Sequence, residues 1–244
     1  MNRRSNVRIS VFDDLQSLSQ SAAELFQSLS RSSIGAKGRF AVALSGGTTP
    51  RLLYTLLGAS PYQNTIDWHS IHLFWADERC VPADDPASNY KLVRDTLLKK
   101  ITIPEENVHH VHGETDPELA AHAYEQDIKA FYGTVAIPIF DLIILGIGAD
   151  GHTASIFPGS PTVPESARVA VPVYLEKPQV NRVTITISVI NHASNVLFLV
   201  AGKAKTNVLQ NILYGGNPKA YPAGLVSTEN GTVTWFIDRE AAGK

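Results

Sequence analysis

The sequence has little that would tie it to a membrane or to an oxidising compartment. Among its 244 residues there is a single cysteine, Cys80, so neither an internal disulfide nor a zinc site built on several cysteines can form. No run approaches the roughly 18 consecutive apolar residues of a transmembrane helix, and the first residues contain no apolar stretch of signal-peptide length. We therefore expect a soluble protein in the reducing cytoplasm.

The sequence also lacks a strong charge of either sign. Its 21 lysines and arginines against 23 aspartates and glutamates give a formal net charge of −2, and the basic residues form no block. Nucleic acids and anionic membranes are bound through clustered positive charge, so we expect neither as a partner. A small anionic ligand would need a local site. The chain itself is expected to be a monomer or a small homo-oligomer.

What is present is a regular alternation of apolar, β-branched runs with amphipathic segments, typical of a mostly parallel sheet covered by helices. The length suits one domain. We predict a single α/β domain over residues 1–244, with a mostly parallel twisted sheet and helices on both faces, similar to a modified Rossmann fold. The predicted strands are VRISVF, RFAVAL, IHLFWA, FDLIILG, RVAVPV, RVTITI, NVLFLVA and TVTWFI, and the predicted helices span 14–30, 50–57, 89–100, 118–132 and 204–214.

The stretch FAVALSGGTTPRLLYTLL places a glycine turn between a predicted strand and a predicted helix. Thr48 or Thr49 can cap that helix, with Pro50 as its first residue. The free N–H groups of the helix start, the glycine amides and the Ser45 hydroxyl can together bind an anion. The spacing is not that of a nucleoside-triphosphate P-loop. Two interpretations stay open, a capped turn without a ligand and a site for a monophosphate or carboxylate.

The stretch IHLFWADERCVP carries charges to the carboxyl end of a predicted strand, where open α/β sheets bind ligands. Asp77, Glu78 and Arg79 follow the apolar run directly. A guanidinium such as that of Arg79 can hold phosphate oxygens in two-point geometry. Three charges at a strand end can equally be solvated, so this motif alone leaves both interpretations open.

The stretch LGIGADGHTASIF contains the spacing G-x-G-x-x-G in Gly146, Gly148 and Gly151, which is found in dinucleotide-binding turns. No acidic residue ends a strand about 20 residues later, as that fingerprint requires, and Asp150 inside the turn would repel a pyrophosphate. We therefore favour a turn that presents Asp150 and His152 to a cleft. An imidazole there can take a proton from water and return it to a leaving group.

Two further patterns are weaker. His110 and His112 lie on one face of a predicted short strand in VHHVHG, but two imidazoles without a nearby carboxylate or cysteine do not make a metal site. Ser45 and Ser155 lack the G-x-S-x-G elbow of serine hydrolases, and Cys80 has no mark of reactivity beyond its neighbour Arg79. We expect no metal, no cofactor and no acyl-enzyme.

Five stretches follow one another along the chain: LSGGTTPRLLY, IDWHSIHLFWADERCVPADDPASNY, FDLIILGIGADGHTASIFPGS, RVTITISVIN and GKAKTNVL. Motifs of this kind occur in the same order in the 6-phosphogluconolactonase family, which the sequence resembles over residues 7–238. The wider superfamily includes glucosamine-6-phosphate deaminases, which have D-E-Y where this chain has DER, and G-H-I-A-F-N-E-P where it has GHTASIFP. The resemblance implies hydrolysis of 6-phosphoglucono-1,5-lactone in the oxidative pentose phosphate pathway. A deaminase and a non-catalytic sugar-phosphate sensor are the alternatives.

The resemblance also implies roles for individual residues. His152 is the catalytic base, with Asp150 and Asp77 as supporting carboxylates. In the motif GKAK the family lysine corresponds to Lys205, and Lys203 is a second lysine, so which ammonium reaches the ligand stays open. The implied substrate and phosphate contacts are Ser45, Gly46, Gly47, Thr48, Thr49, Arg79, Arg182 and Lys205.

A phosphosugar lactone presents a nearly dianionic phosphate and one electrophilic ester carbon, and its strained ester needs no metal. We expect His152 to deprotonate water and the resulting hydroxide to attack C1. Cationic or amide donors would hold the oxyanion, and the imidazolium would then protonate the departing ring oxygen.

Overall fold

The molecule is built from alternating strands and helices. The computed structural model describes residues 6–133, 137–165, 167–176, 179–228 and 230–244. The strands are Asn6–Phe12 (β1), Phe40–Leu44 (β2), Ile71–Trp75 (β3), Asp77–Arg79 (β4), Val108–His109 (β5), Leu142–Leu145 (β6), Ala170–Val173 (β7), Arg182–Ile185 (β8), Asn195–Val200 (β9) and Thr232–Asp238 (β10). The α-helices are Leu15–Lys37 (α1), Thr48–Leu57 (α2), Tyr62–Thr65 (α3), Asn89–Thr96 (α4), Pro117–Tyr132 (α5), Ile187–His192 (α6), Thr206–Tyr214 (α7) and Arg239–Ala242 (α8).

Seven strands form a parallel sheet in the order β1-β10-β9-β6-β2-β3-β5, which confirms the predicted α/β fold. The strands predicted from RVAVPV and RVTITI do not join it. They are β7 and β8, and with β4 they form a separate antiparallel sheet in the order β4-β8-β7. The apolar runs of buried parallel and antiparallel strands look alike in a sequence, so the second sheet was not predicted.

The centre of the parallel sheet is a topological switch. From β2 the chain continues to β3 and β5 on one side, whereas from β6 it continues to β9 and β10 on the other. Ligands of open α/β sheets bind beyond the carboxyl ends of the strands at such a point. The three polar motifs directly follow β2, β3 and β6, so the topology brings them to one edge of the sheet.

Helix α1 packs against β2 and is longer than predicted. It begins after Asp14, whose carboxylate accepts a backbone N–H of the first turn at 2.8 Å, and it ends at Gly38 (φ +76°) instead of at residue 30. On its buried face Phe26 meets Phe40 of β2 edge to face, with ring centroids 5.4 Å apart. This contact anchors the strand that leads into the first motif.

The remaining elements differ from the prediction mainly at their ends. Helix α4 stops at Thr96, and a 3₁₀ turn, Leu98–Lys100, follows where the predicted helix continued. The short elements β4, α3, α6 and α8 were not predicted, because so few residues show no period. The short strand predicted in VHHVHG is present only in its first two residues, as β5. None of the helices that the structure describes is long and apolar enough to cross a bilayer.

A tyrosine of α5 forms hydrogen bonds with the backbone of the last residue of β3. The Tyr124 hydroxyl donates to the Trp75 carbonyl oxygen and accepts the Trp75 N–H, each at 2.7 Å. Both residues are buried, so water does not take over either bond. Since Trp75 leads through Ala76 into Asp77, this double contact fixes where the second motif leaves the sheet.

Replacing Tyr124 with phenylalanine is expected to reduce the free energy of unfolding by about 2–4 kcal/mol, because two buried backbone groups of Trp75 lose their partner. Tyr132→Phe is the matched control: the Tyr132 hydroxyl is buried without a hydrogen-bond partner among the described residues. Its removal should change stability by less than about 0.5 kcal/mol. Urea unfolding followed by tryptophan fluorescence measures both, and equal losses would contradict the assignment.

Candidate active site

The three motifs meet in a cavity of about 210 Å³ beyond the carboxyl ends of β2, β3 and β6. Strand β8 and the 3₁₀ turn before α7 complete its walls. Most of the predicted site residues therefore come together, whereas Thr48, Thr49 and Asp150 lie next to the cavity without lining it. The predicted residues that line it are Ser45, Gly46, Gly47, Asp77, Arg79, His152, Arg182 and Lys205.

The turn after β2 supplies one wall. Gly47 (φ +111°) is the N-cap of α2, and Thr48 is the first helical residue. Among the described residues, no side chain caps the helix. The prediction that Thr48 or Thr49 caps the helix and that Pro50 begins it is therefore wrong. The positive φ of the glycine starts the helix earlier, and Pro50 still falls in the first turn, where its missing N–H is harmless. The uncapped N–H groups remain free for a ligand.

Two arginines face each other across the antiparallel sheet. In the register of β4 and β8, Arg79 lies opposite Arg182, and like charges in that position repel. Arg79 Nη1 donates to the Ala87 carbonyl at 2.5 Å, and Arg182 Nη1 donates to Ser155 Oγ at 3.3 Å. Burial lowers the pKa of Arg182, an effect that Asp77 opposes and Arg79 reinforces. An anion between the two guanidinium groups would relieve the repulsion.

Three buried donors at this cavity have no partner among the residues that the structure describes. They are Ser45 Oγ, Arg79 Nε and Arg182 Nε. Buried polar atoms in folded proteins are nearly always hydrogen-bonded. All three residues line the same cavity, so the donors that lack an acceptor cluster at one place in the molecule.

Asp77 lines the same cavity and is only 5% exposed. Its Oδ2 accepts the Ser155 hydroxyl at 2.6 Å and lies 3.8 Å from Arg182 Nη1. Its Oδ1 lies 3.5 Å from Asn89 Nδ2. These contacts hold the carboxylate in one orientation, with Asp77 among the residues that line the cavity.

The turn after β6 carries the predicted base. His152 Nδ1 lies 2.6 Å from Asp150 Oδ1, which also accepts the His152 N–H at 3.2 Å. A carboxylate can only accept, so Nδ1 carries the hydrogen and Nε2 is left to bind a proton. Burial by itself would raise the pKa of Asp150, but the hydrogen bonds and charge of His152 bring it below its usual range. Asp150 thus orients the imidazole from the side.

Gly148 makes this pair possible. A Cβ at that position would lie 2.1 Å from His152 Nδ1 and 2.4 Å from Asp150 Oδ1, closer than real atoms approach. The glycine spacing that resembles a dinucleotide fingerprint thus makes room for an imidazole and a carboxylate.

Of the site residues missed in the sequence, three make side-chain contacts there. Asn89 lines the cavity, Ser155 binds Asp77, and Phe157 packs against the His152 ring with centroids 4.6 Å apart. The Arg182 guanidinium also lies over the Phe157 ring, 5.6 Å from its centroid. Ser155 and Phe157 follow His152 closely in the sequence, and this was the signal that could have assigned them to the site. Asn89 lies in the motif ending in PASNY that carries the family resemblance, but an asparagine at a helix start also resembles a cap, so it was not assigned to the site.

The two lysines of GKAK are separated in space. Lys205 lines the cavity, whereas Lys203 lies in a different depression beside Thr206 and Glu240. The geometry therefore favours Lys205 as the ammonium that reaches a ligand.

The weaker patterns lie outside the cavity. Strand β5 ends at His109, so His110 and His112 do not share a strand face, and His110 instead stacks on Tyr90 with centroids 4.0 Å apart. In the described ranges, no group of three or more His, Cys, Asp or Glu side chains is placed to hold a metal ion. Burial raises the pKa of the Cys80 thiol to about 11, which leaves it unreactive.

Known proteins resemble this chain over most of its length. A family model described as glucosamine-6-phosphate isomerases/6-phosphogluconolactonase matches residues 13–235. The 6-phosphogluconolactonase of Haemophilus influenzae is 36% identical over 201 residues, 82% of this chain and 85% of that protein. The 6-phosphogluconolactonase of Homo sapiens is 37% identical over 240 residues, 96% and 92% respectively. The solved structure of 6-phosphogluconolactonase from Trypanosoma cruzi has a TM-score of 0.89 at 32% identity, and covers 100% of this chain and 99% of that one.

Proposed function

The chain belongs to the family of glucosamine-6-phosphate isomerases and 6-phosphogluconolactonases, and within it we propose that this protein hydrolyses 6-phospho-D-glucono-1,5-lactone to 6-phospho-D-gluconate. This is the hydrolytic step of the oxidative pentose phosphate pathway. One observation carries the proposal: a single cavity joins an oriented imidazole, His152, to a wall of cations and unpartnered donors. A substrate with a phosphate at one end and an ester at the other fits this cavity, with the phosphate at the cations and the ester at His152.

The phosphate binds at the cationic wall. Arg79 and Arg182 each offer an unused buried Nε–H, Ser45 offers a hydroxyl, and Lys205 adds an ammonium. Hydrogen bonds to charged groups each contribute about 1.5–3 kcal/mol. The wall therefore holds the substrate, while its contribution to the chemical step is positional.

The ester end reacts at His152. Because Asp150 keeps the hydrogen on Nδ1, Nε2 takes a proton from water as the oxygen of that water bonds to C1. The bond between C1 and the ring oxygen then breaks, and the imidazolium gives its proton to that oxygen. Water has been added, the free acid and a hydroxyl are formed, and His152 is regenerated. A base placed in this way contributes about 10²–10⁴-fold.

The direct test uses lactone generated immediately before use. Proton release in a pH-stat and the ³¹P NMR signal of 6-phosphogluconate should both appear at least about 100-fold faster than in buffer alone, as expected with a positioned base. Ammonia release from glucosamine 6-phosphate without lactone hydrolysis would instead identify a deaminase. Binding of 6-phosphogluconate with no turnover of either substrate would identify a sensor.

The Asp150 carboxylate should also contribute to the rate through its contact with His152. In Asp150→Asn the shape is kept, but the group that accepts the Nδ1 hydrogen loses its negative charge, so the ring is held less firmly in the productive tautomer. We expect kcat to fall while KM stays nearly unchanged, since the cationic wall is untouched. Asp13→Asn, at an exposed ion pair with Arg239, is the control. A kcat equal to that of the control would contradict this role.

A further inference from the structure

Asn89 occupies a place in the cavity that binding of a phosphate does not explain. It is 1% exposed, yet it belongs to the cavity wall. Its backbone N–H donates to Glu78 Oε1 at 2.7 Å, and it is the first residue of α4. The backbone therefore holds the side chain in one place.

The orientation of the Asn89 amide is set by Asp77. Its Nδ2 donates to the Asp77 carbonyl oxygen at 2.8 Å and lies 3.5 Å from Asp77 Oδ1. Both partners can only accept while the carboxylate is ionised, so a flipped amide would place oxygen against oxygen. The amide oxygen, Oδ1, consequently points away from Asp77.

The space around Oδ1 is provided by Gly46. A Cβ on Gly46 would lie 1.7 Å from Asn89 Oδ1, so only glycine leaves room for the amide here. Within the part of the chain that the structure describes, no group donates a hydrogen bond to this oxygen. A well-positioned acceptor without a protein donor remains at the cavity wall.

The cavity thus has two chemically different walls. Arg79, Arg182 and Lys205 offer positive charge and N–H donors, which suit phosphate oxygens. Asp77 and the amide oxygen of Asn89 offer acceptors, which repel phosphate oxygens and suit hydroxyl groups. A few placed polar groups of this kind fix the orientation of a ligand in its pocket.

Building on the proposed function, we infer that Asn89 is a substrate-binding residue whose Oδ1 accepts a hydrogen bond from one ring hydroxyl of the lactone. Asn89 recognises the sugar ring, whereas the arginines bind the phosphate. A site built to bind a hydroxyl rejects an analogue that lacks it, because the buried acceptor is then left unpaired. Asn89 therefore contributes to selection of a hydroxylated ring over a deoxy ring.

The test is a double-mutant cycle in which one change is the substitution of Asn89 and the other is the removal of one hydroxyl group from the substrate. We compare kcat/KM of the wild type and Asn89→Ala on 6-phosphoglucono-1,5-lactone and on its 2-, 3- and 4-deoxy analogues. On the parent lactone the substitution should cost about 10-fold. On the analogue that lacks the bound hydroxyl it should cost less than about 2-fold, since the interaction is already absent. Equal losses on all four lactones would overturn the inference.

A measurement of phosphate affinity separates this role from a structural one. The affinity for inorganic phosphate, measured by competitive inhibition, should stay within about 2-fold in Asn89→Ala, because the cationic wall is untouched. A parallel loss of phosphate affinity would show that Asn89 acts only through the fold, and would overturn the inference. If the alanine variant does not fold, Asn89→Ser goes through the same cycle with the same criterion. A wild type without lactone turnover overturns the proposed function itself, whereas turnover with equal losses overturns the role of Asn89 alone.

Discussion

Replacing His152 with alanine is expected to lower kcat for lactone hydrolysis by about 10²–10⁴-fold, the usual contribution of a positioned general base, and to leave KM nearly unchanged. The imidazole is held by Asp150 at 2.6 Å, so its loss removes a pre-oriented base, whereas the arginines that bind phosphate remain. Initial rates with freshly prepared lactone, corrected for hydrolysis in buffer, measure the effect.

Two companion variants decide whether the lost group is a base or a structural support. His152→Gln keeps an amide that can donate to Asp150 but cannot take up a proton, so it should lose as much activity as alanine. His122→Ala removes an exposed histidine of α5 and should retain wild-type kcat. A His152→Ala enzyme within about threefold of the wild type would place the base elsewhere, since a general base contributes far more than that.

Removing either arginine should act on binding. Arg79→Ala or Arg182→Ala is expected to raise KM by about 10–100-fold, equivalent to one charged hydrogen bond of about 1.5–3 kcal/mol, while the pH profile keeps its position. The physical reason is that each guanidinium offers a buried Nε–H that is unused among the described residues. Phosphate contacts of this kind position the substrate without taking part in proton transfer.

The chain supplies matched controls for this result as well. Arg182→Lys retains the positive charge but loses the planar fork, so its KM should fall between those of wild type and alanine. Lys205→Ala should raise KM, whereas Lys203→Ala should not, since Lys203 lines a different depression. A displaced pH profile with unchanged KM would show that the arginines serve the chemical step instead.

The edge of the sheet at which the site forms could be predicted from the sequence. Ser45, Asp77 and His152 all follow apolar runs. Because the carboxyl ends of parallel strands lie at the same edge of a sheet, the three motifs are expected to meet at that edge. The same reasoning placed the glycines of LGIGADGHTASIF in a turn that exposes side chains. Periodicity and strand ends are local properties, which a single sequence records well.

What could not be predicted depends on contacts between distant segments. That Arg79 and Arg182 face each other follows from an antiparallel register between β4 and β8, which the apolar pattern does not encode. The role of Asn89 depends on the close approach of Gly46, and the start of α2 depends on the backbone angle of Gly47. Such details appear only when the tertiary structure is known.

The order of the strands also has a consequence for synthesis on the ribosome. Strand β1 pairs with β10 at the edge of the parallel sheet. The other strands of that sheet are made between these two, so β1 cannot pair until all of them have emerged. Its side chains Val7, Ile9 and Val11 remain 46%, 40% and 42% exposed even after folding. Until β10 is made, the nascent chain therefore carries β1 as an unpaired apolar strand, and the cavity stays incomplete until Lys205 has been made.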